Sequence, residues 1–342
     1  MVRANQNRQW RLKRRPVGEI KDGDLELVEA PIPDVPDGCV LVRNIYLSLD
    51  PTNRIWMSDM DQYMPPVEIG DVMRGGTVGV IEQSAIPELP VGTLVAAGLS
   101  GWQDYSVSPA MMTRPLPKIP GLPATAFMSV CGLTGWTAYF GLLDIGDPKP
   151  GETVVVSAAA GAVGSIVGQI AKIKGARAIG IAGGPDKCRW LTEELGFDGA
   201  IDYKNEDVGK ALDRLCPNGI DVNFENVGGE IMEAVMWRMN NFSRMPLCGM
   251  ISTYNADPTK GMGPRNFQQI LMHRIKVQGF IVIDYLPRFE EAAGQLAQWV
   301  LDGKIKYRVH VEQGLENAVK SLGLLFTGGN DGKLLVQLAP EP

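Results

Sequence analysis

The chain has 342 residues, longer than one hydrophobic core usually serves, so two domains are expected. Hydrophobic residues make up 45% and charged residues 21%, a globular composition that excludes wholesale disorder. The 33 Lys and Arg against 39 Asp and Glu give a net charge of −6, which argues against a nucleic-acid binder, and no apolar run approaches the ~20 residues that cross a bilayer.

The N-terminus carries Arg3, Arg8, Arg11, Lys13, Arg14 and Arg15 but no apolar stretch of a secretory signal. Residues 10–13 alternate as in a strand; a transit peptide is the alternative, and a cytoplasmic protein is expected. Short β-like segments follow at 24–28, 39–43 and 76–81, broken by Pro and Gly, as in an all-β barrel or sandwich. Pro115, Pro117, Pro120 and Pro123 then forbid regular structure and mark a boundary near residue 122. Beyond it the texture alternates. Strands are predicted at 153–157, 178–181, 199–203, 220–224, 245–251 and 277–283, with helices between, including 163–174 and 186–195. The all-apolar Val154, Val155 and Val156 suit a strand buried on both faces, and the rhythm specifies an α/β fold with a doubly wound parallel sheet. The tail from about 309 predicts a strand, a helix and a strand at 334–338, whose expected home is the first domain. Five cysteines, at 39, 131, 188, 216 and 248, lack CxxC spacing and are expected as reduced thiols. His273 and His310 have no neighbour at metal-ligand spacing, so no metal is expected.

The sharpest local signal is the run Val156-Ser157-Ala158-Ala159-Ala160-Gly161-Ala162-Val163-Gly164. Read as a dinucleotide fingerprint, it has Ala159 in place of the first glycine, while Gly161 admits a pyrophosphate and Gly164 packs the new helix on the sheet. The helix N-terminus then favours anionic charge. A tight strand-to-helix turn that binds nothing is the alternative, disfavoured by the βα units that follow. About 20 residues on, an NAD site would place an acid. Here Gly183 and Gly184 stand in that place and Lys187 follows, which favours NADP, although Asp186 is a candidate displaced acid and Lys187 and Arg189 also suit an ordinary helix surface.

These residues, with Asn7-Arg8-Gln9-Trp10, Leu47-Ser48-Leu49-Asp50-Pro51, Gly132-Leu133-Thr134-Gly135-Trp136, Glu225-Asn226-Val227-Gly228-Gly229, Cys248-Gly249-Met250-Ile251-Ser252-Thr253-Tyr254 and Asn330-Asp331-Gly332-Lys333, run nearly end to end in one order. The chain resembles the medium-chain dehydrogenase/reductase superfamily, and within it the zinc-free NADPH-dependent alkenal/one reductases, which include the leukotriene B4 dehydrogenase/prostaglandin reductase-like and curcumin reductase-like enzymes. The resemblance implies a GroES-like catalytic domain at 1–122 and 309–342, an NADP-binding Rossmann domain at 123–308, and a homodimer joined through the Rossmann sheets. The zinc-dependent branch needs cysteines in its first domain, where only Cys39 is found.

Carried over by position, Gly161, Ala162, Val163 and Gly164 would hold the pyrophosphate, Lys187 and Tyr203 the 2′-phosphate side, and Asn226 the adenosine and linking ribose. Cys248, Gly249, Ile251, Ser252 and Tyr254 would pass beneath the nicotinamide ribose, with Phe280, Ile281, Val282 and Asn330 also reaching the cofactor. Singly, several have plainer readings: Phe280 and Val282 as buried strand residues, Tyr203 as a strand-end aromatic, Asn330 as a turn former. Reduction of an enone or enal needs hydride at the β-carbon and a donor at the developing oxyanion. Tyr254, with a phenol whose ordinary pKa is near 10, is the candidate, either protonating the α-carbon or only hydrogen-bonding. Relatives often carry an aromatic where Thr52 stands, so Thr52 and the nearby Tyr63 are the candidate substrate residues. Residues 255–266 read as a lid or a plain surface loop. The expected activity is NADPH-dependent reduction of the carbon–carbon double bond of a small α,β-unsaturated ketone or aldehyde; a quinone reductase and a non-catalytic NADPH-binding protein are the alternatives.

Overall fold

The computed structural model describes residues 6–256 and 263–342. The chain divides into two compact units: Met1–Met128 with Val309–Asn330 and Leu334–Pro342, and Ser129–Arg308 with Asp331–Lys333. Residues 123–128 thus fall in the first unit and 331–333 in the second, unlike the sequence division given above.

In chain order, the first unit opens with β1 (Gln6–Leu12), β2 (Leu25–Pro31), β3 (Cys39–Ser48), β4 (Thr77–Ser84), β5 (Leu94–Ala97), β6 (Tyr105–Pro109) and β7 (Thr113–Pro115). The second contains β8 (Thr153–Val156), β9 (Arg177–Ala182), β10 (Gly199–Asp202), β11 (Ile220–Phe224), β12 (Met239–Leu247) and β13 (Lys276–Gly279). The tail supplies β14 (Val309–Gln313) and β15 (Lys333–Gln337).

In the first unit β1 and β2 form an antiparallel pair, and a larger sheet runs β14-β15-β3-β4-β5-β7, with β6 also on β3. The tail joins this sheet because β15 pairs antiparallel with β3, Leu335 opposite Ser48 and Val336 opposite Leu47. Leu12, Leu47, Leu49, Met57, Met73, Trp102, Leu322 and Val336 make its main core, each burial contributing about 1.5–3 kcal/mol for a side chain of this size. The basic N-terminal residues are used structurally: Arg8 bridges Asp104 and Glu316, and Lys13 pairs with Glu26. The proline-rich stretch is more regular than its composition implies. Pro115 closes β7 opposite Val95, at a sheet edge where its missing N–H costs no ladder bond, and Ile119 bridges Leu122.

In the second unit the sheet order is β10-β9-β8-β11-β12-β13, and every described pairing in it is parallel. This is the order of a Rossmann sheet, with its switch point between β8 and β11. All four residues of β8 are buried, which accounts for its unbroken β-branched run. Val155, Ile179, Ile181, Ile201, Leu212, Ile220 and Met245 form the core on one side. Two predicted strands end early. Residues 248–251 lie beyond β12, and 251–253 form a 3-10 turn; β13 stops at Gly279, and a 3-10 segment spans Val282–Arg288. In each case apolar side chains continue past the last ladder bond into a turn, so periodicity alone overextends the strand. Phe280 and Val282 are therefore half-exposed residues beyond a strand rather than buried strand residues. Of the expected lid, 257–262 lie outside the described residues.

Candidate active site

The glycine-rich turn leaves β8 at Val156. Ala158 adopts a left-handed conformation with φ 50°, a strained geometry for alanine that costs about 1–3 kcal/mol and reverses the chain. The turn is closed by Gly161 N–H donating to Ala158 O at 2.9 Å and anchored by Ala159 N–H donating to Ile181 O at 2.9 Å. The helix Gly164–Ile173 starts there, where Ser165 N–H donates to Gly161 O and Ile166 and Val167 N–H donate to Val163 O, each at 3.1 Å. A Cβ at Gly164 would lie 2.5 Å from Ala158 O and 2.8 Å from Ala159 Cα, both rigid backbone, so only glycine lets the helix begin so close to the strand. A Cβ at Gly161 would sit 3.1 Å from Ala158 O. Gly332 forms a parallel bridge with Gly161. The turn has the shape a pyrophosphate requires: glycines where a backbone must approach and a helix dipole behind them.

At the end of β9 the acid of an NAD site would have to displace two flexible side chains. A Cβ at Gly183 would meet Lys204 Cε at 2.9 Å and Tyr203 Oη at 3.0 Å. Both residues come from the end of β10, the neighbouring strand. Lys187 belongs to the short helix Pro185–Arg189. Burial holds its ammonium below the ordinary lysine range, Asp331 opposes that effect and Lys204 adds to it. Asp186, the candidate displaced acid, pairs with Arg189. Lys204 was not singled out from the sequence; only its place after Tyr203 at a strand end pointed to it.

The other end of the site is organised by a residue that sequence reasoning missed. Glu225 follows β11 and is fully buried. Its Oε1 accepts from Ser157 Oγ (2.8 Å), Val227 N–H (2.7 Å) and Gly228 N–H (2.8 Å), and its Oε2 accepts from Asn223 Nδ2 (2.9 Å). Its backbone carbonyl accepts from Cys248 and Gly249 N–H at 2.9 and 3.1 Å. One residue thus ties together the turns after β8, β11 and β12. Burial pushes its carboxyl up, against the pull of these donors. Asn226 donates from its backbone to Ser157 Oγ (2.8 Å) and from its amide to Ser157 O (2.7 Å), locking the first two turns together.

Residues 248–254 lie along this network. Ile251 N–H donates to Asn226 O at 3.1 Å, and Ser252 donates from both N–H and Oγ to Val227 O, at 3.0 and 2.6 Å. Met250 N–H donates to Tyr254 Oη at 3.1 Å, and a Cβ at Gly249 would lie 3.0 Å from that oxygen. Glycine at 249 therefore makes room for the phenol. An N–H donated to the phenol oxygen strengthens its own O–H as a donor. Burial pushes the Cys248 thiol up to about 12, so it is a packing residue at neutral pH. The Phe280 ring packs edge-on against Phe224 at 6.3 Å and lies over Gly141, leaving the half-exposed backbone of 280–282 for other contacts.

In the first unit Thr52 Oγ1 and Tyr63 Oη are hydrogen-bonded at 2.5 Å, and Trp56 Nε1 donates to Tyr63 Oη at 3.0 Å. The Tyr63 ring is thereby held beside Thr52. Asn330 is buried in the same unit. Among the described residues no three His, Cys, Asp or Glu side chains gather to hold a metal ion, and no helix is long and apolar enough to cross a membrane.

A fold with a Rossmann sheet and a glycine turn at its switch point defines a dinucleotide-binding protein of two units. Two family profiles match it: N-terminal domain of oxidoreductase over residues 8–116 and zinc-binding dehydrogenase over 162–299. The NADPH-dependent curcumin reductase of Escherichia coli is 44% identical over 339 residues, covering 98% of both chains. Prostaglandin reductase 1 of Bos taurus is 40% identical over 332 residues, covering 96% of this chain and 98% of its own. The crystal structure of CurA from Vibrio vulnificus in complex with NADPH superimposes with a TM-score of 0.92 at 47% identity, over 98% of this chain and all of that one. The chain belongs to the medium-chain dehydrogenase/reductase superfamily, in its alkenal/one reductase group.

Proposed function

We propose that the protein reduces the carbon–carbon double bond of α,β-unsaturated ketones and aldehydes with NADPH. The observation that carries this is its end-to-end likeness to reductases of that class, 44% identity over 98% of the chain, on a unit whose turns fit the cofactor. Gly161, Ala162, Val163 and Gly164 hold the pyrophosphate; Lys187 and Tyr203 face the 2′-phosphate; Asn226, 248–252, 280–282 and Asn330 line the remainder. Bound NADPH supplies a hydride to the β-carbon. Tyr254 directs its O–H at the carbonyl oxygen as charge develops there, supported by the Met250 N–H behind the phenol oxygen. The α-carbon takes a proton and the carbonyl is regained. Thr52 and Tyr63 are the substrate residues; their shared hydrogen bond sets a polar edge where relatives carry an aromatic.

The reaction runs without zinc, the 1–122 region offering Cys39 as its one cysteine. A cytoplasmic setting is supported by five free thiols. A homodimer through the β13 edge is supported by the exposed Val277, Ile283 and Leu286 on that strand and the segment after it.

Consumption of NADPH, followed by its absorbance against simple enones, 2-alkenals, a curcuminoid, a prostaglandin-type enone and quinones, tests the activity. A product saturated at carbon–carbon with its carbonyl intact is expected by mass and NMR. Quinone turnover alone would replace the substrate class, and NADPH binding without any turnover would remove the activity.

A further inference from the structure

We infer that Lys204 is a second cation for the 2′-phosphate and that Asp331 competes with that phosphate for Lys187, so that these two residues set the preference for NADPH over NADH. This rests on the proposed placement of Lys187 and Tyr203 at the 2′-phosphate.

Lys204 reaches across the end of the neighbouring strand to Gly183, the position where an NAD site would carry an acid, and the missing Cβ leaves its Cε and the Tyr203 hydroxyl the room to do so. The nearest carboxylate in sequence, Asp202, is committed to the backbone: it accepts from Gly184 N–H at 2.8 Å, Lys204 N–H at 3.1 Å and Asn205 Nδ2 at 2.6 Å. Lys204 stands close enough to Lys187 to oppose its positive charge. Like charges on Lys204 and Lys187 oppose each other, and a phosphate dianion bound beside them offsets that repulsion, which suits lysines acting as point charges.

The Asp331 carboxylate favours the charged form of Lys187. It is held there from two sides. Arg308 Nη1 donates to it at 3.1 Å while Nη2 donates to Glu194 at 2.8 Å, and the guanidinium lies 4.5 Å from the Trp190 ring centre. The next residue, Gly332, bridges Gly161 of the pyrophosphate turn. A phosphate arriving at Lys187 therefore meets a fixed carboxylate that repels it, a repulsion a neutral 2′-hydroxyl does not meet.

The test is calorimetric binding of NADPH, NADH and 2′,5′-ADP to the wild type and to Lys204→Gln, Lys204→Arg and Asp331→Asn. Lys204→Gln is expected to weaken NADPH and 2′,5′-ADP about tenfold, the loss of one charge-assisted contact, and NADH less than about twofold, with Lys204→Arg recovering most of the loss. Asp331→Asn, which keeps an acceptor for Arg308, is expected to tighten NADPH and 2′,5′-ADP about threefold or more and leave NADH unchanged. One variant moving without the other, both nucleotides moving equally, or neither moving overturns the inference. The parent reading is judged separately: it stands if the wild type prefers NADPH and Lys187→Ala abolishes the preference, and both fall if the wild type binds the two nucleotides alike.

Discussion

The two ends of the cofactor site in the second unit are built on opposite principles. At the turns after β8 and β11, Glu225, Ser157 and Asn223 are buried, and the carboxylate accepts four hydrogen bonds that fasten these two turns together, while the Glu225 backbone carbonyl holds the turn after β12. At the end proposed for the 2′-phosphate, Lys204 and Tyr203 are exposed, Lys187 is half-buried, and the geometry depends on a missing side chain at Gly183. A buried polar network stakes stability on every member, because a stranded donor loses water and gains nothing. An exposed charge cluster is screened, so each member is worth less and can change without unfolding the protein. On the proposed placement of the cofactor, the reacting end is thereby rigid and the discriminating end adjustable.

The comparison breaks most sharply at Glu225. Replacing it with leucine strands Ser157 Oγ and two backbone N–H groups at about 1–3 kcal/mol each, so a loss of at least ~3 kcal/mol is expected in denaturant unfolding. A loss below ~1 kcal/mol would show that the carboxylate is not what holds the turns after β8 and β11.

Tyr254→Phe comes next. It removes the proposed donor while leaving the ring, and turnover of a good enone is expected to fall by about 10²–10³ with NADPH affinity nearly unchanged. Unchanged turnover would take the phenol out of the chemistry.

Gly183→Asp sharpens the other end. The new side chain collides with flexible termini of Lys204 and Tyr203 rather than with backbone, so the fold should survive. NADPH is expected to weaken by about tenfold and NADH to change far less, as one charge-assisted contact is worth ~1.5 kcal/mol at the low end of its range. Equal loss of both in binding measurements would mean the glycine serves packing alone.

The smallest effect is on pH dependence. Because burial raises the Glu225 carboxyl, the folded state binds its proton more tightly than the unfolded state. Its contribution is therefore full below the ordinary glutamate range and is lost as pH rises through the folded value. Glu225→Gln keeps the three donors on Oε1, and its amide can donate to Asn223 Oδ1, a buried atom with no hydrogen-bond partner, once the Asn223 amide turns over. Stability of this variant is expected within ~1 kcal/mol of wild type at low pH and to fall less as pH rises. Parallel stability curves, measured by urea unfolding across pH, would contradict this.

What is written locally in the chain was legible. The β-branched run of β8, the glycines at 161 and 164, and the absence of an acid at 183 each act over a few residues, so their geometry follows from spacing and sterics. The alternation of strand and helix likewise specified the parallel sheet, because each βα unit buries its own stripe. Strand ends at 247 and 279 were misjudged, since apolar residues continue after the ladder stops. Glu225, Lys204 and Asp331 acquire their meaning only in three dimensions. The order β10-β9-β8-β11-β12 brings Lys204 over Gly183 and places Glu225 beside Ser157 and Cys248, and the tail's return brings Asp331 to Arg308. Local sequence determines the turns that can bind a dinucleotide; strand order, decided by burial across the whole sheet, determines which distant charges and carboxylates those turns meet.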